Sequence, residues 1–459
     1  MASLVLISDN PRMRLFRRIA QREVALVFAL LLLVGSDYGA WTRAIANTPL
    51  TLQEAVKTAL AQHPTIRVGE ATISAAQQRV RQQEAGYLPR GSYTYTLSRQ
   101  QRPVTAAVGG VQIGGGQQTR SFAQIFNFHT TNVSLSQVLF DFGRTLDAIQ
   151  SAAATVEAST ADLETTRQTV TFNTKQSYFG LLSSQHLQRV AEETVRQNQK
   201  HLEDAQARFE VGVAPRFDVT QAQVQVSNAE LNLVTARNNV ALGHETLRTA
   251  MGITDSADFV PIDTLDRRSL PMNESEILRQ AYASRPELHS LWARQKATTE
   301  QVSELQKRYL PSLTGNAQYN WTGRDHPLQE GWVIGVVLTV PLFDSILTRA
   351  QIGEAQANQQ RLSAEEENLR QQITLEVRRS LLDVRRSEES IRVSEQTEVQ
   401  ARENLALAEG RYQAGVGNIL EVTDAQTSLT SARANTIQAL YNYKTAVAQL
   451  EKAVGRALE

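Results

Sequence analysis

The sequence predicts a mainly α-helical protein with a membrane β-barrel part, built from one helix–hairpin–long helix–helix unit used twice. Three observations predict it. The 459-residue chain repeats itself at constant offsets. It contains two proline-free runs far longer than an ordinary globular core accommodates. Four short segments alternate apolar and polar residues with a period of two, as a two-faced strand does.

The repeat comes first. "ALAQHP" ending at Pro64 matches "AYASRP" ending at Pro286, and "YLPR" (87–90) matches "YLPS" (309–312), each pair 222 residues apart. Further on the offset becomes 203. It relates "LFD" at 139–141 to "LFD" at 342–344, "RFEVGVAPRFDVTQAQ" (208–223) to "RYQAGVGNILEVTDAQ" (411–426), and Gly252 to Gly455. The offset changes inside 101–129, where "TAAVGGVQIGGGQQ" reads as a glycine-rich loop. The first repeat is therefore 47–252 and the second 253–459.

Ahead of the repeats, Arg12, Arg14, Arg17, Arg18 and Arg22 precede an apolar run from Val24 to Val34, and Ala44-Ile45-Ala46 has the small-x-small pattern of a cleavage site. Residues 1–46 read as a secretory signal cut after Ala46, with Met13 an alternative start. The other reading is an uncleaved anchor, but the run is shorter than the ~20 apolar residues that span a bilayer.

Each repeat is expected to open with a helix, 52–87 or 275–309, ended by Leu-Pro because proline cannot continue a helix interior. Strands follow at about 90–100 and 130–140, and at about 312–321 and 332–341. In the first, Tyr93, Tyr95 and Leu97 share one face, opposite Ser92, Thr94, Thr96 and Ser98. In the third, Leu313, Gly315, Ala317, Tyr319 and Trp321 oppose Ser, Thr, Asn and Gln; in the fourth, Trp332, Ile334, Val336, Leu338 and Val340 share a face. An uncharged polar face is expected on all four. Each strand has about the ~9–11 residues that cross a bilayer at a tilt. Tyr93, Tyr95, Tyr319, Trp321 and Trp332 are the candidate membrane-strand aromatics, with Trp321 and Trp332 where an aromatic girdle lies. A soluble sheet buried against helices would alternate in the same way.

Then come the long helices. No proline occurs from Arg144 to Val211 or from Ile346 to Ala414, so each extends ~100 Å. Ile373, Val377, Leu381, Val384 and Ile391 make a coiled-coil-like stripe on the second. Glycine-marked turns at Gly212 and Gly415 lead into shorter helices, the first over 220–251. Helices 220–251 and 274–309 together match one long helix and are expected to stack end to end.

Open sheet edges cannot sit in lipid, and four strands are too few to close, since single barrels start at ~8. The chain is therefore an oligomer that pools its hairpins: a dimer giving a small filled barrel, or a trimer giving twelve strands and an aqueous lumen. The formal charge of zero points to no nucleic-acid partner. The absence of cysteine excludes disulfides, thiolate metal sites and a lipidated cysteine. "GGVQIGGG" lacks the Lys-Ser/Thr of a phosphate loop, no G-x-S-x-G or H-E-x-x-H occurs, and the seven histidines are scattered. No enzyme, cofactor or metal site is expected.

Residues 50–459 resemble the TolC family of outer-membrane efflux proteins. The segments that carry the resemblance are "LTLQEAVKTALAQHPTIR", the paired "YLP", "QVLFDFGR", "VPLFDSILTRAQIGEAQA", "RFEVGVAPRFDVTQAQ" and "RYQAGVGNILEVTDAQTSL". The resemblance implies a homotrimer forming a twelve-stranded outer-membrane β-barrel, continued by a long periplasmic α-helical barrel. It implies the exit duct of a tripartite efflux pump or type I secretion system. The partners are a periplasmic adaptor (membrane fusion) protein, an inner-membrane transporter and outer-membrane lipid. The alternative is a periplasmic coiled-coil scaffold without a pore.

By resemblance the turns at Gly212 and Gly415 form the periplasmic tip. Asp218 and Asp424 start the returning helices, with capping or dipole stabilisation the expected part for Asp218. Glu421 and Asp424, three apart, share a helix face and would place six carboxylates around a threefold constriction, a cation-selective gate. Tyr412 matches an aromatic that holds the tip closed in relatives. Gly417 stands where they carry a basic residue, and Arg216 is the expected substitute.

Overall fold

The computed structural model describes residues 48–107, 119–254, 259–263 and 273–456. The expected signal segment and the centre of the glycine-rich loop lie outside them. The described residues fall into two units. The small one is a parallel pair, β1 (Thr48–Leu50) on β4 (Phe259–Pro261), with Thr48 opposite Phe259 and Leu50 opposite Pro261.

The large unit contains both repeats. In chain order the first is α1 (Leu52–Gln62), α2 (Pro64–Glu84), β2 (Arg90–Ala107), β3 (Thr119–Phe140), α3 (Arg144–Glu210) and α4 (Arg216–Met251). The second is α5 (Glu274–Ser284), α6 (Pro286–Lys307), β5 (Ser312–Gly323), β6 (Gln329–Thr339), α7 (Leu347–Gln413) and α8 (Ile419–Val454). From α3 onward the boundaries of the two repeats keep the 203-residue offset.

The expected opening helices are each two helices. The breaks fall at Pro64 and Pro286, inside the matched "HP" and "RP" motifs. Proline has no N–H to donate and is tolerated at the first position of a new helix. His63 caps α2, its Nδ1 accepting from Thr65 N at 3.3 Å.

Helices α3 and α7 have 67 residues each. Both are rich in Ser, Thr or charged residues, yet neither breaks. In α3 the hydroxyls of Thr155, Ser159, Thr160, Thr165, Thr166 and Thr174 donate to the carbonyl four residues back, which satisfies them inside the helix. The stripe from Ile373 to Ile391 is buried, none of its five residues above 3% exposed, against Leu288, Tyr443 and Leu450.

The half-length helices stack within each repeat, not across repeats as the summed lengths suggested. α4 ends at Gly252, where an added Cβ would lie 2.7 Å from His63 Cα. α8 ends at Gly455, where a Cβ would lie 2.9 Å from Ser284 O. Both glycines have positive φ, +71° and +84°. Arg285, 4% exposed, locks the second joint: Nη1 donates to Lys452 O at 3.1 Å, and the guanidinium pairs with Glu376 and lies 3.5 Å from Glu287.

The four hairpin strands form one antiparallel sheet in the order β2-β3-β5-β6. The first hairpin is longer than expected: β2 and β3 pair from Arg90 opposite Ser136 out to Ala107 opposite Thr119, while β3 meets β5 only between His129 and Phe140. Strands continue into helices through a corner that recurs in both halves. Asp141 accepts from Gly143 N and Thr145 N, Asp344 accepts from Thr348 N, and the residues that follow, Phe142 and Ser345, both have positive φ. This is the physical content of the repeated "LFD".

Candidate functional site

Two regions carry the candidate residues: one face of the sheet and the turns at the far ends of α3 and α7.

The register sets the sheet residues in rows. Tyr93, Val133, Tyr319 and Trp332 stand directly across from one another. The next row is Tyr95, Thr131, Trp321 and Glu330, and on the other side comes Gly91, Leu135, Ala317 and Ile334. The structure thus brings all five candidate aromatics onto one face in two adjacent rows. The Tyr319 and Trp321 rings lie 4.4 Å apart, and two of the tyrosine hydroxyls are satisfied: Tyr319 Oη donates to Glu330 at 2.8 Å, and Tyr95 Oη meets His129 Nδ1 at 2.8 Å. The other face has Ser92 bonded to Ser134 at 2.7 Å, then Thr94, Asn132 and Asn320 in a row. That polar face covers three strands, not four. In β6 its positions are Val333, Gly335 and Val337. All eleven residues of β6 are exposed, and both outer strands, β2 and β6, have one unpaired edge. Among the described residues no helix is long and apolar enough to cross a membrane.

At the tip, Gly212 (φ +73°) and Gly415 (φ +74°) end the long helices. Val213 N donates to Arg208 O at 2.9 Å and Val416 N to Arg411 O at 3.0 Å, a bond back over five residues that closes a helix around a left-handed residue. Nothing lies within 4 Å of a Cβ at either glycine, so φ alone demands glycine here.

The carboxylates differ from expectation. Asp218 is not the cap, which is Pro215, but it sits in the first turn of α4, the place where a carboxylate complements the helix dipole, the other part expected of it. Burial raises its pKa above the ordinary carboxylate value. α8 is capped by Asn418, whose Oδ1 accepts from Glu421 N at 2.9 Å, so Asp424 lies in the second turn. Glu421 is paired with Arg411, Nε to Oε2 at 3.2 Å. Asp424 is exposed, with no ion pair among the described residues. The two acids share a face but not a condition, because one is neutralised.

Tyr412 packs against the cluster of Leu405, Ala408, Val422, Ala425 and Leu429. Its partner is Arg208 rather than Arg216. The Arg208 guanidinium lies 4.7 Å from the ring centroid, and Nη1 donates to Tyr412 O at 3.4 Å. Burial raises the Tyr412 pKa, the charges of Asp218 and Asp204 raise it further, and Arg208 opposes them. Gly417 is small by necessity: a Cβ there would stand 3.0 Å from Arg411 Cβ and 3.1 Å from Tyr412 N. Sequence reasoning missed Arg208 and Arg411. The signal was present, since they are the aligned first residues of "RFEVG" and "RYQAG".

Comparison with known proteins agrees with this architecture. The model of the outer membrane efflux protein family matches residues 55–253 and 277–456, one match per repeat. Outer membrane protein TolC of Escherichia coli (strain K12) is 25% identical over 347 residues, 72% of this chain and 70% of that protein. Alkaline protease secretion protein AprF of Pseudomonas aeruginosa is 24% identical over 374 residues, 80% of this chain and 76% of its own. A crystal structure of a membrane protein from Pseudomonas aeruginosa superposes with a TM-score of 0.75 at 21% identity, covering 88% of this chain and 93% of that one. The family match falls once on each repeat, and the chain belongs to the outer membrane efflux protein family, channels of the outer membrane.

Proposed function

We propose that three copies of this chain form the passive exit duct of a tripartite efflux pump or type I secretion system, with a tip that an adaptor protein opens. The observation that carries the reading is the four-stranded sheet with two unpaired edges and aligned apolar rows on one face. Such edges are excluded from hydrocarbon unless another strand closes them. Three copies, β6 of one against β2 of the next, give twelve strands and no edge. Tyr93, Tyr95, Tyr319, Trp321 and Trp332 then face lipid as an aromatic girdle. The exposed "LF" of the second corner supports the same assembly: Leu342 and Phe343 are 93% and 88% exposed in the single chain.

The helical part supplies the tunnel and the turns its narrow end. Arg208 on Tyr412 and Arg411 on Glu421 hold the turns together, and adaptor binding breaks these contacts. Substrate is delivered by an inner-membrane transporter, since the duct has no energy source of its own. The cysteine-free chain allows a direct test of the barrel. Single cysteines placed along β2 and β6 in pairs should, on oxidation, give a covalent trimer on a denaturing gel for one register of pairs. Failure of every β2–β6 pair to link would defeat the closed barrel.

A further inference from the structure

A cavity of about 610 Å³ lies where the sheet meets the helices, away from both the tip and the aromatic rows. It is lined by Arg90 at the start of β2, Ser136 of β3, Arg144 and Thr145 at the start of α3, and Glu304 and Arg308 at the end of α6. Gly86, just past the end of α2, lies in its wall: a Cβ there would stand 2.9 Å from Gln83 O and 3.0 Å from Thr145 Cγ2, so a side chain would force a neighbour to shift. Arg308 is occupied, donating to Glu304 at 3.2 Å and to Gln351 at 2.9 Å. Arg90 and Arg144 are not: among the described residues neither guanidinium has a hydrogen-bond or ion-pair partner. The cavity therefore has two guanidiniums in its lining without a direct side-chain partner, with the Asp141 carboxylate, itself bonded only to neutral donors, as the nearby counter-charge.

Stability does not explain Arg144. It is the first residue of a 67-residue helix, where the backbone dipole disfavours a cation. The neighbouring acids are engaged elsewhere. Asp141 is 3% exposed and accepts from Gly143 N and Thr145 N, and Asp147 is paired with Lys307 at 2.6 Å. An anion in the cavity would reconcile the charge with its place, and two planar guanidinium forks with the Ser136 hydroxyl nearby match phosphate oxygens better than a single carboxylate.

We propose that this cavity binds a phosphate-bearing anion between Arg90 and Arg144, with the Ser136 hydroxyl beside it; the Thr145 hydroxyl is spent on Asp141. The chemistry fits two sources, the headgroup of an anionic phospholipid or a soluble phosphate compound entering the duct. The binding site stands on this geometry alone; the choice between sources rests on the exit-duct reading.

The test uses the full chain in detergent and two probes, phosphatidylglycerol followed by native mass spectrometry and inorganic phosphate followed by phosphorus NMR line broadening. Losing two charge-assisted partners should weaken binding about tenfold or more in Arg90→Gln/Arg144→Gln. Arg237→Gln, on the exposed side of α4, should change nothing. If the double glutamine variant does not fold by circular dichroism, Arg90→Lys/Arg144→Lys keeps the charge, loses the forks, and should still bind more weakly than the parent. Retained phosphatidylglycerol that the variant loses identifies a lipid headgroup. Phosphate broadening without lipid retention, lost in the variant, identifies a soluble anion. No binding of either probe, or binding undiminished in the variant, overturns the site. No readout requires a pore, so a failed conductance experiment would leave this result standing and would count only against the duct.

Discussion

At the scale of single residues, the tip is a set of unequal contacts, and the inequality gives predictions. Arg208 over Tyr412 is a partly buried cation–π pair, worth about 0.5–2 kcal/mol. Arg208→Ala should loosen the turns and raise the open probability of the channel, read as longer open times in single-channel records. Tyr412→Phe should not, because the Tyr412 hydroxyl is buried without a hydrogen-bond partner among the described residues and loses nothing when removed. Asp424, exposed and unpaired, should carry more of any cation selectivity than Glu421, which Arg411 neutralises. Reversal potentials of Asp424→Ala and Glu421→Ala would decide; equal shifts would contradict the assignment. Asp218 gives a pH dependence. Burial raises its pKa in the conformation seen here, which the proposed gating takes as the closed state, so protonation favours that state. Its contribution is fully present below the ordinary carboxylate pKa of about 3.9 and is lost as pH rises through the higher folded value. Acidifying across that window should favour closure, and Asp218→Asn should favour closure at every pH and flatten the profile.

At the scale of elements, four of the five positive-φ glycines among the described residues, those that end the long and the half-length helices, separate into two kinds. Gly212 and Gly415 face open space, so alanine there costs about 1–2 kcal/mol for the left-handed backbone alone. Gly252 and Gly455 seat one helix end against the next, and alanine there also collides with the backbone at His63 and Ser284. Gly252→Ala and Gly455→Ala should therefore lower the thermal midpoint more than Gly212→Ala and Gly415→Ala. Arg285→Ala at the second joint should lower it as well, with a loss of about 1–3 kcal/mol in stability, because it leaves the Lys452 carbonyl unpaired at a partly buried seam, while the half-exposed Glu376 returns to water. Much of this scale was legible in the sequence. Proline-free length set the long helices to within a residue or so, the 203-residue offset set the order, and the Ile373–Ile391 stripe was the core it appeared to be on paper. The misses have physical causes. The breaks at Pro64 and Pro286 were hidden by a helical pattern that runs on through them. Stacking partners were misassigned because length alone does not say which helix ends meet. The cap of α8 was missed because Asn418 does its work in a turn where the eye goes to glycine. The pairing of Arg208 and Arg411 lies between residues on different helices, and a linear reading contains no distance.

At the scale of the whole molecule, one chain leaves both outer edges of its sheet unpaired. Its large unit has a core along α7 and α8, yet the sheet leaves β6 exposed on both faces and two edges unsatisfied. The proposed closure of this sheet by other copies accords with the family to which the chain belongs, which works in the outer membrane. The central claim is that pooled hairpins make a transmembrane pore whose opening the tip controls. The most direct measurement is the conductance of the purified protein in a planar bilayer, wild type beside Arg208→Ala. The account predicts discrete, cation-selective steps that are brief or rare in the wild type and longer in the variant. Protein that fails to insert, or that inserts and stays silent even with the tip contact removed, would contradict it.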